Sequence, residues 1–391
     1  IILLKEINQL YKTYCNKPSG ETAPLFQLSD YAAVEKDWLQ STTLQRQLKY
    51  WTKQLQDMPP LLDLPIDYPR QPLVASAGAW QPLALSKKLT NSLVATSWKQ
   101  RVSPFIVVLA AYQSLLMRYT RQHDIVVGTI TANRTSANTS SLIGFVAETA
   151  LLRTQVAPEM RFAELLNNLE TLCSDALYKQ PVPYGMLVDS LRESGALAAD
   201  ANPIQAALVF DSVGLEENVL AGQPSTAATS RSMGVTKFEL TLSLEIVDGQ
   251  LKGHFEYNTE LFAAATIKRL AKHFQILLTS AVKDPQQRIG DLALITEQER
   301  KTLLRDWNKT ETQYPANQCI HHLFHQRANA HPNTTALIDG DQHLSYHQLD
   351  MLSNQLAHYL RAQGVALDTP VALTMHRSSD MIIAILGILK A

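Results

Sequence analysis

Apolar residues recur along this chain at two spacings, and the switches between them mark its elements. The opening IILLKEINQLYKTY sets Ile2, Leu3, Ile7, Leu10 and Tyr11 in the rhythm of an amphipathic helix, and Lys5 and Glu6 interrupt any secretory core. Helical spacing continues in Tyr31–Leu39 and Leu44–Leu55, where Trp38, Leu48, Trp51 and Leu55 supply an apolar stripe. Ser103 before Pro104 is a helix start by cap and first-turn preference, and Phe105–Tyr119 is apolar on nearly every side, which predicts a buried helix. Ile125–Ile130 is a short β-branched run that suits a central strand covered on both faces. Phe162–Tyr178 returns to helical spacing until Pro181-Val182-Pro183 stops it. Strict alternation appears in Lys237–Tyr257. Phe238, Leu240, Leu242, Leu244 and Ile246 alternate with polar residues, Asp248-Gly249 supplies a turn, and Leu251, Phe255 and Tyr257 resume, which predicts a β-hairpin. A helix over Leu261–Thr279 follows, packing through Leu270, Phe274 and Leu277.

Other stretches are set by their breakers. The prolines of Met58–Pro72 remove amide donors and predict an extended run over a surface. After Pro285 the chain becomes a charged link, which places a domain boundary close to Trp307–Pro315. Beyond it, Ser345 and Gln348 form a capping box for a helix bearing Leu349, Leu352, Leu356 and Leu360, ended by Gly364. A strand over Pro370–Met375 and a helix over Ser379–Lys390 complete a strand-helix alternation.

Bulk properties narrow the function classes. With 391 residues the chain holds two domains with sizeable cores and part of a third at most. A net charge of −1 gives no basic field for nucleic acid or anionic lipid, so proteins and neutral ligands are the expected partners. Cys15, Cys173 and Cys319 form no CxxC pair, which fits a reducing cytoplasm better than a disulfide framework. Met381–Leu389 is the most hydrophobic run and is about half the length needed to cross a bilayer, so no membrane span is expected.

The most informative stretch is Thr131–Arg153, TANRTSANTSSLIGFVAETALLR, in which a Gly-Phe elbow at Gly144-Phe145 joins a polar loop to a strand. It resembles the loop and strand beneath the active-site tunnel of condensation domains in nonribosomal peptide synthetases. Other pieces resemble that family's motifs in the family's order. Tyr31-Ala32-Ala33-Val34 after Ser29-Asp30 is similar to its Tyr-x-Asp-Tyr-Ala-x-Trp helix start, with Glu35 where Trp is usual. Leu64–Pro72 resembles its Leu-Pro-x-Asp-x-Pro-Arg-x-Pro connector. Gln180-Pro181-Val182-Pro183-Tyr184 resembles its His-Gln-Asp-Val-Pro-Phe-Glu element, with Lys179, Pro181 and Gly185 in place of His, Asp and Glu. Asn202-Pro203-Ile204 before Ala206–Phe210 resembles its Arg-Asn-Pro-Leu element.

The resemblance implies an α/β fold, the chloramphenicol-acetyltransferase-like C-terminal lobe of a condensation domain. It implies a substrate-tunnel floor formed by Asn133, Arg134, Gly144, Glu148, Thr149 and Arg153. Gly144 would allow a close backbone approach, while Thr149 and Arg153 would fix the following strand. Glu148 stands where the family has Asn, and it is expected either to touch substrate or to pair with Arg153 or solvent. Lys237, Phe238 and Glu239 resemble the strand that latches one lobe onto the other, and the hairpin's outer face would then lie exposed without the other lobe. The plainer alternatives are a surface loop entering a core strand and an ordinary sheet hairpin.

The His-His-x-x-x-Asp-Gly segment that carries the family's chemistry is expected just before Ile1, so no catalytic residue is assigned within the chain. His321-His322 is not that segment, because HHLFHQR has neither its Asp nor its Gly. His321 and His325 share a helix face, yet no Glu stands at the HExxH position and no Cys pair lies nearby, which predicts no metal site. Instead Ile320–Ala391 resembles the start of an adenylation, AMP-forming-ligase-like domain, most specifically at Asn354-Gln355-Leu356-Ala357 and at Gly387–Ala391. No GxxxxGK[ST] or GxGxxG occurs, and the phosphate loop is expected beyond Ala391.

The implied organisation is a condensation domain without its N-terminal catalytic segment over 1–296, a linker over 297–317, and the N-terminal part of an adenylation domain over 318–391. The implied reaction is amide formation between carrier-tethered thioesters. The piece itself would be inactive, would bind no cofactor, and would depend on its missing N-terminal lobe. Donor and acceptor peptidyl-carrier domains bearing phosphopantetheine are the implied partners, and ATP with Mg²⁺ is implied for the complete adenylation domain. A non-catalytic docking platform and an epimerisation domain of the same fold are the alternatives.

Overall fold

The computed structural model describes residues 2–16, 26–70, 77–134, 137–140, 142–176, 182–199, 201–211 and 234–391. Its elements in chain order are α1 (Ile2–Asn16), α2 (Leu28–Leu39), α3 (Thr42–Leu55), β1 (Gly78–Ala84), α4 (Lys87–Gln100), α5 (Pro104–Thr120), β2 (Asp124–Thr131), α6 (Ala137–Ser140), β3 (Glu148–Gln155), α7 (Phe162–Ser174) and α8 (Tyr184–Glu193). They continue with β4 (Ala206–Asp211), β5 (Leu240–Val247), β6 (Gln250–Asn258), α9 (Ala264–Lys283), α10 (Glu297–Lys301), α11 (Ile320–Ala330), β7 (Thr335–Asp339), β8 (Gln342–Ser345), α12 (Tyr346–Ala362) and α13 (Ser379–Lys390). The chain separates into two compact units, Ile1–Leu304 and Arg305–Ala391.

The first unit is built on one mixed sheet ordered β1-β6-β5-β4-β2-β3. β4 runs parallel to both β2 and β5, and the remaining neighbours are antiparallel. β2 is an interior strand, and Ile125–Thr129 is buried throughout, as the β-branched run predicts, while Ile130 at its end is exposed. α5 packs on α4, α7, α9 and β2 and is buried from Ile106 to Met117, so it occupies the centre of the core. Ser103 caps it by accepting from the Ile106 amide, with Pro104 in the first turn. Among the described residues no single helix is long and apolar enough to cross a membrane.

β5 and β6 form the expected hairpin. Val247 pairs with Gln250 across a two-residue turn in which Asp248 and Gly249 both have positive φ, 51° and 69°, the turn whose twist matches that of the strands. Leu240, Leu242 and Leu244 point into the core, and on the hairpin's outer face Thr241 is buried while Ser243, Glu245, Lys252, His254 and Glu256 are half-buried. The helix break at Pro181 lies outside the described residues.

The proline-rich connector runs extended, and its polar residues explain how it is held. Gln205 Oε1 accepts from the Leu62 amide at 2.9 Å and Gln122 Oε1 accepts from the Asp63 amide at 2.8 Å. The Asp67 carboxylate takes the Ala263 amide and the Thr266 hydroxyl, so it caps the start of α9. Prolines leave few amides to satisfy, and specific side chains meet those of Leu62 and Asp63.

In the second unit a β7–β8 hairpin lies beside α12 and α13. Ser345 and Gln348 make the predicted capping box. Lys390 is nearly buried and donates to Asp350 Oδ1 (2.7 Å), Ser353 Oγ (2.7 Å) and Asn354 Oδ1 (2.9 Å), which locks α13 onto α12. The expected strand over Pro370–Met375 is not formed. A strand needs a neighbour to complete its hydrogen bonds, and none among the described residues pairs with this segment.

Candidate active site

The polar loop leaves β2 at Thr131 and returns as β3 at Glu148, two residues that sit opposite each other in the antiparallel register. Arg134 knots it. Its guanidinium donates to the carbonyls of Thr139 (2.5 Å), Leu142 (2.7 Å) and Gly144 (3.2 Å), so one side chain fixes the loop's path. Gly144 lies against α2: a Cβ there would meet Leu28 Cδ1 at 2.7 Å, so a larger residue would require the Leu28 side chain to move. The neighbouring Phe145 is 90% exposed.

Four side chains gather beside this loop, Tyr31 and Glu35 from α2, Asn133 from the loop and Glu148 from the start of β3. Asn133, in the left-handed region at φ 51°, donates from Nδ2 to the Tyr31 hydroxyl at 3.3 Å. The Tyr31 hydroxyl donates to Glu35 Oε1 at 3.1 Å. Burial, the Glu35 carboxylate and the Glu148 carboxylate push the Tyr31 pKa up to about 12, so the phenol stays protonated and donating. Glu148 Oε2 accepts from the Tyr184 amide at 3.5 Å, at the positive end of α8. Glu35 and Glu148, two of the positions that depart from the resembled motifs, therefore both act on the Tyr31 hydroxyl, Glu35 through a hydrogen bond and Glu148 through its charge.

Arg153 lies elsewhere. It forms a bidentate pair with Asp124, with Nη2 to Oδ2 at 2.7 Å, and donates to the carbonyls of Gln54, Gln56 and Asp57 at the end of α3. Residues five apart on a strand face opposite sides and stand about 17 Å apart, so the expected Glu148–Arg153 pair is not made. The side chains of Arg153 and Asp124 are 18% and 19% exposed, and their contacts fasten α3 to the sheet. Thr149 stands opposite Ile130 at the loop end of β3.

The Lys237–Glu239 triplet precedes β5. Lys237 Nζ lies 5.1 Å from the centre of the Phe238 ring, and Phe238 is buried. Glu239 pairs with Arg70 of the connector through two bonds, at 2.9 and 3.0 Å. Sequence reasoning missed Arg70 and Asp67. Their signal was there, as charged groups within a run of prolines, since charges on a surface-hugging segment need partners.

The mixed six-stranded sheet with its covering helices and the knotted loop make the first unit an α/β domain. The condensation-domain family matches residues 1–304, and this chain belongs to it; the AMP-binding enzyme family matches residues 324–391. The chain is 37% identical over 393 residues to a linear gramicidin synthase of Brevibacillus parabrevis and 34% identical over 395 residues to chondramide synthase of Chondromyces crocatus. All of this chain is covered in both, with 8% and 10% of those proteins' lengths. Among solved structures, holo-AB3403, a four-domain nonribosomal peptide synthetase bound to AMP and glycine, matches 99% of this chain and 30% of its own, with TM-score 0.76 at 19% identity. The X-domain from teicoplanin biosynthesis matches 74% of this chain and 67% of its own, with TM-score 0.62 at 22% identity. The fold is thus the α/β condensation type followed by the start of an AMP-binding domain.

Proposed function

We propose that this chain is the C-terminal part of a condensation domain and the beginning of the adenylation domain after it, over the boundaries 1–296, 297–317 and 318–391, within a cytoplasmic nonribosomal peptide synthetase. The observation that carries this reading is the Arg134-knotted loop under Tyr31, Asn133 and Glu148, reached by motifs in family order. The proposed reaction is attack of an acceptor amine on a donor thioester, each tethered by phosphopantetheine to a carrier domain. The new C–N bond forms as the C–S bond breaks, and the amine proton leaves with the thiol. Holding both thioesters in one channel makes the attack effectively unimolecular.

In this account Asn133, Arg134, Gly144, Glu148 and Thr149 line or shape the channel floor. Arg153 acts from behind the sheet by holding α3, and Lys237, Phe238 and Glu239 hold the approach to the other lobe. The family's His-His-x-x-x-Asp-Gly segment does not occur among the 391 residues, and the imidazole is assigned to the parent protein outside them. Phosphopantetheine belongs to the carrier domains, and ATP with Mg²⁺ to the complete adenylation domain; no residue of this chain is assigned to holding them.

A second reading is a platform that binds carrier or neighbouring domains without chemistry. It is favoured by a solved complex of the X-domain with OxyB, a pairing of this fold with another protein. Amide formation from loaded carriers by the complete parent protein separates the two. A parent that binds both carriers and forms no amide supports the platform.

A further inference from the structure

The strongest unassigned chemistry lies at the start of α11 in the second unit. Cys319 is the N-cap of α11, and His321 and His322 follow in its first turn. The Cys319 sulfur and one ring nitrogen from each histidine all lie within 4.8 Å of one another. Helical spacing alone pairs His321 with His325. The structure turns His325 away, with Nδ1 on the Asp350 carboxylate at 3.1 Å and Nε2 facing the Asn329 amide at 3.1 Å. Cys319 takes its place in the cluster.

A second, independent feature points the same way. His321 Nδ1 is buried and has no hydrogen-bond partner among the described residues, a costly state for a ring nitrogen that a ligand would relieve. The nearby Lys390 charge is itself matched by Asp350 at 2.7 Å.

We propose that Cys319, His321 and His322 form a binding site for a borderline-soft divalent cation of the Zn²⁺ class, with solvent in the fourth position. One thiolate and two imidazoles are a donor set that such ions favour over Mg²⁺ or Ca²⁺. Tetrahedral coordination needs donor separations of about 3.3–3.6 Å. Cys319 and His322 are exposed, so small side-chain rotations bring the cluster into that range. Binding replaces the Cys319 S–H proton, which is released to solvent. The bound ion would tie the residue that opens α11 to the helix's first turn.

The test is a Co²⁺ titration of the 391-residue chain, metal-free and reduced, followed by absorbance. The expected result is one ion per chain, a thiolate-to-cobalt charge-transfer band, and displacement by an equivalent of Zn²⁺. The band is expected to be lost in C319S, to need about tenfold or more Co²⁺ in H322Q, and to be unchanged in C15S, which removes the other exposed thiol. Both altered positions are exposed, so the far-ultraviolet circular dichroism should stay that of the unaltered chain. No band in the unaltered chain, a band that survives C319S, or an H322Q titration like that of the unaltered chain overturns the site.

Discussion

Asn133 holds the Tyr31 hydroxyl with its side-chain amide while its own backbone sits at a positive φ of 51°. The amide has two tasks, since Asn tolerates the left-handed conformation and reaches across to α2. Asn133→Gly keeps the backbone and loses only the bond, at a cost of about 0.5–1 kcal/mol. Asn133→Ala loses the bond and adds the left-handed penalty as well, about 2 kcal/mol in all. Urea unfolding midpoints of the two variants should fall in that order.

Arg153→Met should be the more damaging change. It strands Asp124 and removes a donor from three carbonyls at the end of α3, at a cost of about 2–4 kcal/mol. Glu148→Gln, on the same strand, should move stability by less than about 1 kcal/mol, because its bond from the Tyr184 amide is long and weak. In the complete parent the ranking for amide formation is expected to differ. Glu148→Gln should change the rate with acceptor identity, and Arg153→Met should act through the amount of folded protein.

Arg70 and Glu239 join the connector to the segment ahead of β5 through a partly buried, two-bond pair. A double-mutant cycle with Arg70→Ala and Glu239→Ala should give a coupling of about 1–2 kcal/mol. Additive losses would show that the connector is held by its other contacts alone.

Acid should loosen α10. Burial favours the neutral form of Glu299, but hydrogen bonds from Thr296 and His273 outweigh it and bring its pKa down to about 2. The folded-state pKa is below the unfolded value, so this stability is complete above roughly pH 4 and is lost as pH falls through about 2. The unaltered chain should therefore lose more stability than Glu299→Gln over that interval, measured by urea midpoints at several pH values.

Elements with a strong local signature were legible in the sequence. The hairpin turn at Asp248-Gly249, the Ser103-Pro104 helix start and the Ser345/Gln348 box each fix their geometry within a few residues, and the structure has all three. The strand expected at Pro370–Met375 was not legible, because a strand is a property of two segments and its composition names no partner. The candidate site divides in the same way. The loop from Asn133 to Glu148 could be recognised as a unit, but the partner of Arg153 lies 29 positions away on β2, and sequence proximity pointed to Glu148 instead. Tyr31 and Glu35 come near Glu148 through the packing of α2 beside the loop, where Leu28 meets Gly144 and Tyr31 meets Asn133, long-range contacts that periodicity does not report.

The most direct measurement is amide formation from donor- and acceptor-loaded carrier domains, run in parallel with the complete parent protein and with the 391-residue chain alone. The account predicts product from the parent and none from the chain, because the imidazole is assigned outside these residues. Turnover by the chain alone would contradict it.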